Sequence, residues 1–316
     1  MRLIENKLPQ WAIVNFIVLT FLGVVLRYMQ IYGLSFVNYP FLLHAHSHFA
    51  FSGWMFFAIA LLITQTLTGN EYHRSFKYVF ILNLISAYGM LVSFYLQGYK
   101  PLSICFSTLF ILVNYIFTYL VFKSKLLKTH INEVGYKLIK GGLIFLCLAS
   151  IGPFALGPLI ALGLKNSPFY QDAIYFYLHF QMNGFMFLCT LGLLASVSFT
   201  LPLSENHEGW LKLFIYTTIP LYFMFTLWDN PNGWIRILAF TGATLQLISW
   251  LVLCRKFRTV GGRLSGLVQI ALIAATAKIL FQVLVCVPRI GQWAFLDRNL
   301  IIGYIHLLTL GVVMPL

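Results

Sequence analysis

Acidic side chains are scarce in this sequence: 8 Asp and Glu in 316 residues, against 21 Lys and Arg. Charged residues of both signs make up only 9% of the chain, where a soluble globular domain carries about 25%. That shortage excludes a water-soluble domain and a disordered chain. It also excludes a nucleic-acid binder, despite the formal net charge of +13. No acidic residue falls deep inside an apolar run, which argues against the commonest kind of proton-coupled transporter. The five cysteines (Cys105, Cys147, Cys189, Cys254 and Cys286) form no C-x-x-C. They read as small packed side chains, and no disulfide framework is expected.

What fills the chain is apolar: 60% hydrophobic and 17% aromatic residues, with a mean hydropathy of +0.84. At about 20 apolar residues per membrane crossing, the length allows about ten spans. Apolar runs between polar breaks place them at about 11–33, 41–66, 78–97, 102–122, 138–163, 170–199, 211–228, 233–254, 264–287 and 299–316. The breaks carry turn or charge chemistry, as in Thr68-Gly69-Asn70-Glu71 and Asp229-Asn230-Pro231-Asn232-Gly233. The first run follows Lys7 and Pro9 without a small-residue cleavage site, so it reads as a helix and not as a removed signal peptide. The last run is still apolar at Pro315-Leu316, and the sequence is expected to stop inside or near the end of its tenth helix.

Basic residues orient the spans. Fourteen fall on the amino-terminal side, among them Lys125, Lys128, Arg255 and Lys256, against six on the other: Arg27, Lys100, Lys165, Arg236, Arg289 and Arg298. The amino terminus is therefore expected in the cytoplasm. The twenty-first, Lys278, falls near the middle of the ninth run. An amine at that depth costs a few kcal/mol even on the lenient insertion scale, so it is expected to face the bundle interior or water. Thr276 and Gln282 are its expected hydrogen-bond partners. The functional reading is a stop on a proton path towards the histidines; the plainer one is a packing role.

Of eight histidines, His73, His130 and His207 fall in loops among charged neighbours and read as solvated. Three others share a pattern: His48-Phe-Ala-Phe-Ser-Gly53, His179-Phe-Gln-Met-Asn-Gly184 and His306-Leu-Leu-Thr-Leu-Gly311. Each reads H-x-x-x-x-G, and the spacings of 131 and 127 residues equal four helices. The pattern divides the chain into repeats of about 1–130, 131–260 and 261–316, the third one short, within a single transmembrane domain. It also places each histidine about 7–10 residues from the same end of its span, hence at a similar depth. Intramembrane histidines are functional-site candidates by default, and imidazole suits iron, copper and zinc. The glycine five positions on leaves a flat patch for a planar ligand or a neighbouring helix. His44 and His46 complete an H-x-H-x-H with His48. His44 shares the His48 face, as a second ligand or hydrogen-bond partner, whereas His46 points nearly opposite, towards a wet interface.

Taken together, these features resemble subunit I of the haem-copper oxidase superfamily, an all-α bundle of twelve helices with pseudo-threefold 4+4+4 symmetry. The resemblance covers the topology of ten helices and three short motifs. It implies that His48 and His306 are axial ligands of a b-type haem and that His179 occupies a copper-ligand position, with His44 as a possible co-ligand. Arg27, Arg289 and Arg298 are candidates to pair with haem propionates. It also implies a bacterial cytoplasmic membrane, the lipid bilayer and other membrane redox subunits as partners, and electron transfer or a response to nitric oxide or oxygen as function. The departures are specific. Phe-Gln-Met follows His179 where oxidases carry H-P-E-x-Y, and the seventh run, Leu211–Trp228, contains no histidine. Full oxygen reduction is therefore not expected, and further copper ligands are missing from the seventh run; the pattern is closer to divergent members such as the NnrS family. The alternatives are a metal or small-solute transporter, or a non-catalytic membrane assembly factor. A transporter would need polar residues continuing below the histidines, and Trp54–Ile63 is dry.

Overall fold

The computed structural model describes residues 7–68, 74–124, 131–198, 205–257 and 264–315, apart from the side chains of 198, 205, 206, 256 and 257. All regular structure among them is helical. Among the described residues nine helices are long and apolar enough to cross a membrane: α1 Leu8–Tyr32, α2 Tyr39–Thr68, α3 Arg74–Gln97, α4 Pro101–Lys123, α5 Glu133–Ala161, α6 Pro168–Val197, α7 His207–Asp229, α8 Gly233–Arg255 and α9 Gly266–Val285. A tenth crossing exists if the bent pair α10 Pro288–Leu296 and α11 Arg298–Val313, which meet at 92°, forms one span. The chain is thus an all-helical, integral membrane protein. The basic positions Lys125, Lys128, Arg258 and Arg263, the loop histidines His73 and His130, and the final Leu316 lie outside the described residues.

Helix starts follow from local chemistry. Proline stands in the first turn of α1, α2, α4, α6 and α10, where its missing N–H costs nothing. Asn38, Asn132, Ser265 and Asp297 cap α2, α5, α9 and α11 by accepting backbone N–H groups. The one departure from the expected segments is α10. Its residues read as a loop in sequence, yet Pro288 starts a short helix that ends when Asp297 turns extended and caps α11.

The chain divides into two compact units, Met1–His130 and Ile131–Leu316. In the first, buried phenylalanines from α2, α3 and α4 form the core: Phe49, Phe56, Phe57, Phe80, Phe94 and Phe117. The rings meet mostly edge to face, as between Phe56 and Phe117 at 5.5 Å. α1 turns Ile13, Ile17, Phe21, Val24 and Ile31 outward, a stripe suited to lipid. In the second unit α5 and α6 pack through glycine: a side chain at Gly135 would meet the Gly192 carbonyl at 2.7 Å. Such contacts are how helices approach closely without a hydrophobic driving force between them. The indole of Trp250 on α8 donates to the Thr276 hydroxyl on α9 at 2.9 Å.

Candidate functional site

Each H-x-x-x-x-G motif coincides with a change of helix type. After His48 the backbone of α2 is π-helical over Ala50–Phe56. After His179 the same happens in α6 over Phe180–Met186, and after His306 in α11 over Thr309–Val313. At the last of these, Met314 N–H reaches the Thr309 carbonyl, five residues back, at 3.1 Å. A π segment widens the helix and disturbs its carbonyl ladder, and such segments are frequent at functional sites. The motif glycines Gly53, Gly184 and Gly311 all fall inside these segments. Neighbouring helices approach two of them, one of the two expected uses of the patch: Phe145 of α5 covers Gly184, and Ala274 of α9 stands 3.1 Å from the Cβ position of Gly311, whereas Gly53 is covered by Phe49 of its own helix.

In the first unit the disturbed carbonyls are taken up by neighbouring helices. Asn15 on α1 donates to the Gly53 carbonyl, and Tyr88 on α3 holds Asn15 by donating to its Oδ1 at 2.9 Å. Asn83, also on α3, donates to the Ser52 carbonyl at 3.0 Å. Both asparagines are fully buried. The His48 ring stacks on Phe94 with centroids 4.1 Å apart, and its Nε2 shares a proton with the Tyr99 hydroxyl at 2.8 Å. His44 meets the same tyrosine edge-on at 4.7 Å. His46 turns away, as expected from its position. It is half-buried, with its Cε1 3.3 Å from the Cβ position of Gly23 on α1. Arg27 is exposed and donates to Gln30 at 3.0 Å.

In the second unit His179 is 0% exposed and saturated. Its Nε2 lies 2.7 Å from the Thr218 carbonyl, on α7. A carbonyl only accepts, so Nε2 carries the proton, and Nδ1 takes a hydrogen bond from Asn183 Nδ2 at 3.2 Å. Asn183 Oδ1 accepts in turn from Gln282 on α9 at 3.2 Å and from Tyr304 on α11 at 3.1 Å. Gln282 also donates to the Tyr304 oxygen at 2.8 Å. The resulting polar layer ties α6, α7, α9 and α11 together. It engages both ring nitrogens of His179 with protein groups.

Lys278 points inward, 0% exposed. Its Nζ stands over the Phe187 ring, 4.1 Å from the centroid, and makes no hydrogen bond among the described residues. Neither expected partner reaches it. Thr276 serves Trp250 and the Leu272 carbonyl, and the Gln282 amide nitrogen serves Asn183 and Tyr304. His306 is the opposite case. Its ring is exposed, and Nδ1–H donates to the Ile302 carbonyl one turn back at 2.8 Å. In the neutral ring that bond leaves the lone pair on Nε2, the tautomer that a metal-ligating imidazole adopts when its other nitrogen is fixed by backbone. Arg289 and Arg298 are exposed near the ends of α10 and α11.

Among the described residues no three His, Cys, Asp or Glu side chains gather as a metal-ligand group. Sequence reasoning missed Asn15, Asn83, Tyr99 and Tyr304. The asparagines had a signal, a lone amide inside an apolar run, whereas nothing local ties Tyr99 to His48, 51 residues away. No family model, curated protein or solved structure matches this chain.

Proposed function

We propose that this protein is a haem-binding membrane protein acting in electron transfer or in a response to a diatomic gas. The observation that carries the reading is His306. It is an imidazole in a membrane helix at a π-helical segment, with Nδ1–H anchored to Ile302 and Nε2 open. That arrangement is suited to an axial iron ligand, and the surrounding apolar helix would tune the potential. The other axial position falls to His48 on the strength of the repeated motif alone. For His48 to serve, its hydrogen bond to Tyr99 must open, and Tyr99 has room to turn because it is 58% exposed. Arg27, Arg289 and Arg298 are exposed and are the candidates to meet propionates or to reach the membrane interface. The cytoplasmic amino terminus, the twelve-helix count and the bacterial cytoplasmic membrane belong to the same proposal.

Absorption spectroscopy of the purified, full-length protein, produced with ample haem supply, tests it. The expected result is a reducible b-type spectrum with about one haem per chain. A preparation that is folded, monodisperse and free of haem overturns the reading and favours a transporter or an assembly factor.

A further inference from the structure

Three coordinating side chains of the first unit converge where α2 begins and α3 ends. His44 and His48 are four residues apart on one face of α2. Tyr99 meets both, at ring-centroid distances of 4.7 Å and 5.7 Å. Phe94 backs the group, stacked on His48 at 4.1 Å and edge-on to Tyr99 at 4.8 Å. The His44 ring makes no hydrogen bond among the described residues, and Tyr99 is more than half exposed. The group therefore has an imidazole without a hydrogen bond and an open side at Tyr99.

We propose that, wherever no haem occupies His48, His44, His48 and Tyr99 form a binding site for a late first-row divalent metal ion, zinc or copper(II). A helical i, i+4 histidine pair presents two borderline-soft nitrogens to one ion, and a phenolate oxygen is a compatible third ligand. The shared proton between His48 Nε2 and Tyr99 marks the ion's place. Ligands about 2.0–2.2 Å from a tetrahedral zinc stand ~3.3 Å apart, so the present 2.8 Å contact opens by only a fraction of an ångström. Binding balances as the metal ion plus the neutral phenol giving the metal-bound phenolate and one proton released to solvent. Water fills the fourth position.

The site does not rest on the haem reading, but the two share His48 and exclude one another there. The experiment is therefore run on His306→Ala protein as well as on wild type. Zinc chloride is titrated into the purified, detergent-solubilised full chain, and heat is recorded in two buffers of different ionisation enthalpy. In the His306→Ala background we expect one zinc per chain and about one proton released per zinc. Adding Tyr99→Phe should weaken binding about tenfold and abolish proton release; adding His44→Ala should weaken it more than tenfold. Thermal melts check that each variant is folded, and His44→Gln replaces His44→Ala if the latter is not. Zinc affinity unchanged by the His44 substitution, or no zinc uptake in the His306→Ala background, overturns the proposal. Zinc uptake equal in wild type and His306→Ala counts against the haem reading alone.

Discussion

The two units treat the same motif in opposite ways. Around His48 the polar side chains serve backbone: Asn15 and Asn83 occupy the carbonyls of Gly53 and Ser52, and the histidine is held at one nitrogen by a partly exposed tyrosine. Around His179 the polar side chains serve one another, and the histidine is locked at both nitrogens inside a four-helix layer. A shared H-x-x-x-x-G thus fixes a helix type but not the fate of the imidazole. What decides availability to a ligand is whether a second nitrogen finds a protein partner. His179 has one, while His306 has only its backbone anchor.

That contrast can be broken by substitution, and the largest effect is expected at the open histidine. His306→Ala should lower haem content more than tenfold while leaving the melting temperature close to wild type, because the exposed ring contributes little packing. His179→Ala should do the reverse, keeping haem in whatever fraction stays folded. It leaves the Thr218 carbonyl and the Asn183 amide without a partner in a buried place, a loss of about 2–4 kcal/mol. Thermal unfolding with parallel haem quantification separates the two. Loss of haem from a fully stable His179→Ala protein would make that histidine part of the haem site.

A smaller effect is expected in the first unit. Asn83→Ala strips one donor from the Ser52 carbonyl, and the π segment there loses about 1–2 kcal/mol. The Gly53 carbonyl keeps Asn15, so the segment should persist. If Asn83→Ala melts with wild-type protein, the asparagine is ornamental and the π geometry is held by packing around Phe49 and Phe56.

The helices were legible because apolar length and helix-start chemistry are local: Pro9, Pro40, Pro101, Pro168 and Pro288 each stand in a first turn. The repeat was legible because three histidines kept one spacing. The π segments were not, since no residue type encodes an i→i+5 turn. Partner identity was the least legible. Gln282 is four residues beyond Lys278, and helical spacing made it that lysine's natural partner. Tyr304, 22 residues further along the chain, takes its amide nitrogen instead. The Gln282 oxygen, the acceptor that the lysine would need, makes no hydrogen bond among the described residues, so a shared helix face did not bring the two groups together.

Lys278 carries the smallest expected effect and the sharpest question of sign. The proton-path reading makes the amine valuable, and the structure shows it buried without a hydrogen bond. Two contributions oppose each other. Contact with the Phe187 ring at 4.1 Å is worth about 0.5–2 kcal/mol to a cation. Burying an unpaired polar group costs more than that, and replacing buried polar groups by apolar residues of similar volume is often neutral or stabilising. Lys278→Met keeps the unbranched stem and the packing on Phe187 while removing the amine. It should raise stability by about 1 kcal/mol, read as a higher melting temperature. If the variant is less stable than wild type, the amine has a partner such as internal water, and a proton path through it regains support. If it is more stable and the pH dependence of haem reduction is unchanged, Lys278 has no part in proton movement.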